Sequence, residues 1–250
     1  MGTPISCFVA CPLYGQVDPH YHLSALKFVQ QLNESGLPGA MLPWVGDSAV
    51  CRARNGLTRR FLEGDWSHIL FIDSDLVFSI EQVQRIMSHP EDVVAGLYCH
   101  KKEGDPEIVW NSYAEREPNE RGLLSVRYMG TGFIRIARSV FERMIAAWSE
   151  EMAYMPDGSP KGTTEYEFWH MGVYKYKDGG RRWLTEDWWF CQRCLDLGIK
   201  VWADMHILLR HSGNALYPLQ TQEPKLFGKP VNPTVSIERA REPVLSPARL

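Results

Sequence analysis

No stretch of the 250 residues is long and apolar enough to span a bilayer. Met1 to Cys11 carries neither the basic region nor the long apolar run of a secretion signal, so the expected location is the cytoplasm. Excess positive charge is missing too: 27 Lys and Arg stand against 30 Asp and Glu, a formal net charge of −3. The chain as a whole therefore has no electrostatic footprint for nucleic acid, and only a local basic patch would supply one. Cysteine is sparse. Cys7, Cys11, Cys51, Cys99, Cys191 and Cys194 are scattered, which excludes a disulfide framework in a chain of this size without a secretion signal. Cys191 and Cys194 have CxxC spacing, but they fall on an expected helix with no second pair at zinc-finger spacing, and they read as two core-facing thiols. There is no internal repeat, no heptad run, and no glycine- and lysine-rich phosphate loop early in the chain.

What is present is ordinary soluble-protein chemistry, 44% hydrophobic and 23% charged, in a length that suits one α/β domain with a full core. Ile5 to Cys11 reads as a first strand, broken by Pro12-Leu13-Tyr14-Gly15. A helix over Ser24 to Asn33, a strand over Ala40 to Val45, and a helix over Ala49 to Glu63 capped by Asp47 or Ser48 follow. His68 to Ile72 is the next strand, then a helix over Ser79 to Ser88 and a strand over Val93 to Leu97. This alternation predicts a mostly parallel sheet with helices on both faces. Glu107 to Trp110 and Leu123 to Arg127 read as a small antiparallel region. A glycine-opened strand from Gly130 to Ile136 leads into a helix over Ser139 to Trp148. Thr164 to Trp183 is an aromatic segment read as a hairpin or lid, with Gly179-Gly180 as its hinge. A helix over Thr185 to Leu197, with Thr185 as cap, and a last strand over Ile199 to Ala203 close the domain. The expected organisation is one domain over 1–217, with halves of about 1–100 and 101–217, and an extended tail over 218–250.

The most informative stretch is His68-Ile69-Leu70-Phe71-Ile72-Asp73-Ser74-Asp75. Residues two apart at a strand's end point the same way, so Asp73 and Asp75 converge at the carboxyl edge of the sheet, where α/β folds bind ligands. Two such carboxylates repel unless a cation lies between them, and a hard ion such as Mg²⁺ or Mn²⁺ suits the oxygen-rich position. The same spacing also suits a solvated turn. Glu186-Asp187 at a helix start and His211 in His211-Ser212-Gly213 complete the acids and imidazoles able to join the pair.

In this order the motifs bring the chain to a family. It resembles glycosyltransferases of the GT-A fold over roughly residues 5 to 215. The likeness rests on Pro12-Leu13-Tyr14-Gly15, Arg54-Asn55, the Asp-x-Asp of Asp73 and Asp75, Gly130 to Phe133, Glu186 to Cys191, and His211. The resemblance implies a Rossmann-like, mostly parallel central sheet flanked by helices, with a small antiparallel acceptor side. It implies a nucleotide-sugar half and an acceptor half. Asp73, Asp75 and His211 would hold Mn²⁺ or Mg²⁺ on the donor diphosphate. Pro12 and Tyr14 would line the nucleotide, with Tyr14 either stacked near the base or buried as a packing aromatic. Arg54 and Asn55 would reach ribose or phosphate, or lie as an exposed pair on their helix. Gly130 and Gly132 would let the backbone approach the donor sugar, or mark a bend. In an inverting enzyme Asp187 would be the general base, with Glu186 contacting acceptor or donor sugar; helix capping is the competing role for these acids.

The donor implied is a uridine diphosphate sugar such as UDP-glucose. The compact form is similar to glycosyltransferases carried by bacteriophages, which makes a 5-hydroxymethylpyrimidine in DNA one candidate acceptor and the host cytoplasm the matching location. Basic residues at Arg59-Arg60, Lys101-Lys102, Arg181-Arg182, Lys225, Lys229, Arg239 and Arg241 favour that acceptor, and the net charge opposes it. A surface glycan or protein hydroxyl is the second acceptor class. A nucleotidyltransferase and a non-catalytic binding module are the competing functions.

Overall fold

The structure is a computed structural model and describes residues 6–35, 39–101, 107–113, 117–213 and 216–218. The expected tail over 218–250 lies outside the described residues save Pro218, as does Lys102. The first half contains β1 (Cys7–Leu13), α1 (Pro19–Ser35), β2 (Gly39–Val45), α2 (Val50–Glu63), β3 (His68–Ile72), β4 (Leu76–Val77), α3 (Ile80–Ser88) and β5 (Val93–Leu97). The second contains β6 (Trp110–Ser112), β7 (Leu123–Met129), β8 (Phe133–Ala137), α4 (Arg138–Met152), β9 (Ala153–Tyr154), β10 (Glu165–Tyr166), β11 (Gly172–Lys175) and β12 (Arg181–Leu184). It ends with α5 (Glu186–Asp196), β13 (Val201–Leu208), β14 (Arg210–Ser212) and β15 (Leu216–Pro218).

Eight strands form the central sheet in the order β2-β1-β3-β8-β5-β13-β7-β6. It is mixed and mostly parallel: following the pairings, six strands run one way, and β8 and β7 run against them. Strands from both halves of the chain thus share one sheet. The run Ile69-Leu70-Phe71-Ile72 is fully buried because β3 is covered on both faces. On one face lie Leu57 and Phe61 of α2, Phe141 and Met144 of α4, and Phe190 of α5. On the other lie Tyr21 and Phe28 of α1 with Val83 and Ile86 of α3. Both CxxC thiols are buried in the core, and burial pushes Cys191 up to about 12, as core-facing thiols require.

Three departures from the expected layout shape the site. First, β1 does not break before Pro12 but continues to Leu13, pairing with β2 alone beyond Ala10. Second, β8 inserts antiparallel between β3 and β5, with Ile72 opposite Phe133. That register sets Gly132 beside Asp73, whose N–H donates to the Gly132 carbonyl at 2.7 Å. Third, β13 is longer than expected and is not the last strand. β14 follows it and pairs with β4, with His211 opposite Leu76. The Ser212 N–H donates to the Asp75 carbonyl at 2.7 Å, which ties His211 to the acid pair.

Helix starts follow local chemistry in part. Ser79 and Gln82 form a reciprocal capping box on α3. Asp47 accepts the Ala49 N–H at 2.9 Å, ahead of an α2 whose N-cap is Ala49 itself. Thr185 stands at the N-cap of α5 but its side chain makes no capping bond, so Glu186 and Asp187 in the first turn are the groups that meet the helix's positive end. No helix among the described residues is long and apolar enough to cross a membrane.

Candidate active site

The site lies at the carboxyl edge of β1, β3 and β5, and its lowest layer is a buried arginine. Arg54 projects from the packed face of α2 and is 1% exposed. Its guanidinium lies over the rings of Phe71 and Trp169, 5.2 Å and 5.4 Å from their centroids. It donates to Asp73 Oδ1 at 2.8 Å and to the Thr131 carbonyl at 3.3 Å. Burial opposes its charge, but Asp73, Asp187 and Glu186 outweigh that and raise its pKa further. Arg54 is therefore the charge that lets several carboxylates share one small volume, not a group reaching outward to ribose or phosphate, and it is not exposed.

Asn55, next on the helix, does not face the edge. Its amide donates to the Trp169 carbonyl at 3.2 Å and accepts the Trp169 N–H at 3.0 Å. Trp169 is further held by a bond from its indole N–H to Thr58 and by stacking on Phe190 at 4.4 Å. Both expected roles for Asn55, nucleotide contact and exposed partner, give way to pinning the segment before the β11–β12 hairpin.

The two acids of the Asp-x-Asp pair are treated differently. Asp73 is engaged by Arg54; burial raises its carboxyl above the ordinary range against that guanidinium's pull. Asp75 is more open, and its Oδ2 receives Lys101 Nζ at 2.6 Å and faces His211 Nε2 at 3.4 Å. Burial would raise Asp75, yet His211 and Lys101 together hold it at about 2. The His211 Nδ1 lies 2.7 Å from the Cys99 carbonyl, which can only accept, so Nδ1 carries the hydrogen. Nε2 is left facing Asp75, and with a cation between them the neutral ring would turn its lone pair to that cation, as a metal-ligating histidine does. Asp75 and His211 thus fit a hard divalent cation. Among the described residues no three His, Cys, Asp or Glu side chains gather as a ready cage. A cation there would take its other oxygens from water and phosphate, as Mg²⁺ commonly does.

Asp187, in the first turn of α5, closes the other side. It accepts a hydrogen bond from the Thr131 hydroxyl. Burial, then the neighbouring Glu186, raises its carboxyl to about 6, with Arg54 and Thr131 pulling the other way. Glu186 is 9% exposed, behind it. Thr131 links Asp187 through its hydroxyl to Arg54 through its carbonyl, and it was not singled out from sequence although it lies between the two glycines that were. Tyr98 was also missed; its only signal is its place directly after β5 at the ligand edge. Its hydroxyl accepts the Gly132 N–H at 2.9 Å, and its ring lies edge-on to His211 at 5.4 Å. A Cβ on Gly130 would collide with the Tyr98 hydroxyl and Val109. One on Gly132 would meet Tyr98 at 2.8 Å and Asp73 at 2.9 Å. The close approach these glycines allow is that of the protein's own tyrosine and aspartate, not of an open ligand surface.

At the end of β1, Pro12 is half-buried and Tyr14 is 69% exposed, which rules out the buried-aromatic role for Tyr14. On the far side, β11 and β12 form the hairpin. Gly179 (φ +85°) and Gly180 make its tip turn, with the Gly179 N–H on the Tyr176 carbonyl at 3.0 Å. They lie at the tip, so they are not a basal hinge. The inner side is fastened: Tyr174 hydrogen-bonds Asp196, and the Tyr176 and Tyr128 hydroxyls meet at 2.9 Å. Trp183 remains 61% exposed, and Lys175, Lys177, Arg181 and Arg182 are exposed with no ion pair among the described residues. Arg59 and Arg60, by contrast, are tied to Glu63, and Arg59 also to Glu165.

No family model and no curated protein matches the sequence. Among solved structures, A197 from STIV is 17% identical over 86% of this chain and 90% of its own, with a TM-score of 0.49. A glycosyltransferase involved in the glycosylation of the major capsid of PBCV-1 is 12% identical over 63% of this chain and 70% of its own, with a TM-score of 0.34. Each likeness is partial and one of chain path.

Proposed function

We propose that the protein is a metal-dependent, inverting glycosyltransferase that moves a sugar from a nucleotide-diphospho sugar to an acceptor hydroxyl. The observation that carries this reading is the juxtaposition at one sheet edge of Asp75 with His211 and, across the Arg54–Asp73 pair, a raised carboxylate at Asp187. Asp75 and His211 would hold Mn²⁺ or Mg²⁺, which when bound offsets the charge of a leaving diphosphate. Asp73, kept in place by Arg54, adds negative charge beside them and fixes the turn through its backbone bond to Gly132. Tyr14 offers an exposed ring at the nucleotide end, where a base would stack. A uridine diphosphate sugar is the donor proposed.

Asp187 takes the proton from the acceptor hydroxyl. The oxygen bonds the anomeric carbon as the bond from that carbon to the diphosphate breaks, and the nucleoside diphosphate leaves with the electron pair. A carboxyl raised to about 6 suits this step, being largely ionised at neutral pH yet more basic than a free aspartate. The Thr131 hydroxyl orients the accepting carboxylate. The acceptor proposed is the hydroxyl of a hydroxymethylated pyrimidine in DNA. The exposed Trp183 and the hairpin cations, which have no ion pair among the described residues, support it, since aromatic faces stack on bases and cations meet phosphate.

The test is a thermal-shift panel of nucleoside diphosphates and their sugars with and without Mn²⁺, followed by transfer to hydroxymethylated DNA. A ligand bound only by the folded state raises the melting temperature. A Mn²⁺-dependent rise with one nucleotide supports the reading; no rise with any of them overturns it.

A further inference from the structure

We propose that Lys101 is the resident counter-ion of the metal position: its ammonium neutralises Asp75 while no metal is bound, and shifts to the donor's diphosphate when a metal binds. The inference rests on the donor reading above and adds a residue to it. A single oxygen, Asp75 Oδ2, carries both Lys101 Nζ at 2.6 Å and the approach of His211 Nε2 at 3.4 Å. A divalent ion bonded to the same oxygen repels the ammonium and draws off the negative charge that holds it there. The two cations therefore compete for Asp75.

The surroundings decide which part of Lys101 yields. Its backbone is anchored just upstream: Cys99 pairs with Ile108, and the His100 N–H donates to the Glu107 carbonyl at 3.0 Å. The Cys99 carbonyl is also the group that holds His211 Nδ1, so moving this strand would disturb the imidazole. The Lys101 side chain is 36% exposed, on a stem with four rotatable carbons, and is free to swing. Arg54, the other cation of the site, is buried between two rings and cannot leave Asp73. The acid pair thus has one fixed cation and one exchangeable one. Once displaced, the exchangeable ammonium lies at the mouth of the site, where the donor's phosphates bring negative charge.

The test measures Mn²⁺ binding by calorimetry, with no nucleotide present, for the wild type, Lys101→Met and Lys101→Arg, and then UDP binding at saturating Mn²⁺. Removing the competing ammonium is expected to tighten Mn²⁺ binding about fivefold in Lys101→Met. UDP binding in the same variant is expected to weaken about tenfold. Lys101→Arg should follow the wild type in both. A merely structural lysine would move neither value or weaken both, and either result overturns the proposal, as does a wild type that does not bind Mn²⁺. A wild type that binds Mn²⁺ but no nucleoside diphosphate defeats the donor reading and the phosphate role of Lys101, while the Mn²⁺ comparison still decides its counter-ion role.

Discussion

Arg54 and Arg182 carry the same charge, and the fold treats them in opposite ways. Arg54 is 1% exposed, stacked between Phe71 and Trp169 and bonded to Asp73. Arg182 is exposed on a hairpin whose four cations have no ionic partner among the described residues. The carboxyl edge of the sheet neutralises its charges internally and so fixes carboxylates at set positions. The hairpin leaves its charges open and fastens only its inner side, through Tyr174 to Asp196. The contrast shows that residue type alone does not tell whether a charge is neutralised inside the fold or left open to solvent.

The contrast is broken most severely at Asp187. Asp187→Asn should lower transfer by about 10²- to 10⁴-fold while donor affinity is kept, read from steady-state rates beside calorimetric binding. A fully active variant would place the base elsewhere. Next comes the buried arginine. Arg54→Met strands Asp73 and is expected to cost about 3–5 kcal/mol of unfolding free energy, whereas Arg182→Ala should stay within about 0.5 kcal/mol of wild type. Equal losses in denaturant melts would mean that the hairpin charges are structural after all. A third comparison is Asp75→Ala, expected to abolish the Mn²⁺-dependent thermal shift with donor; an unchanged shift would remove Asp75 from the metal position.

Smaller effects are carried by pH. Transfer is expected to fall as pH drops through about 6, where Asp187 takes up its proton. An acid limb near the ordinary aspartate value of 3.8 would mean that this carboxylate is not the base. The stability effect has the opposite sign from that of Asp75. Asp187 is raised in the folded chain, so its ionisation weighs against folding above about 6 and is relieved below it. Asp75 is held at about 2, below its ordinary 3.8, so its contribution is complete above about 4 and is lost as pH falls towards 2. Asp75→Asn should flatten the stability profile between those limits, which acid unfolding of the two proteins would measure.

Much of this architecture was readable in advance because its signals are local. The apolar run Ile69–Ile72 can only be a strand covered on both faces, whereas Asp73 and Asp75 follow it in a turn, so strand alternation does not set their direction. The CxxC thiols read correctly because their helix and the absence of a second pair left only the core. The hairpin was visible in its turn residues, though not that its glycines lie at the tip. Arg54 and Asn55 were read as contacts for a ligand or as an exposed pair, and no sequence pattern marks that one of them lies 1% exposed beneath the site and the other holds Trp169. The same holds for Thr131 and Tyr98, whose partners are 56 and 34 residues away.

By itself, then, the sequence determined the main helices and the longer strands of the central sheet, because hydrophobic period and side-chain direction are set over a few residues. Only the tertiary structure decided that β8 would enter antiparallel between β3 and β5, that β14 would bring His211 beside Asp75, and that the two acids would take different cations. Those outcomes depend on which distant strands pair. Pairing of that kind is settled by packing both faces of the sheet at once, a condition that no short stretch of the chain contains.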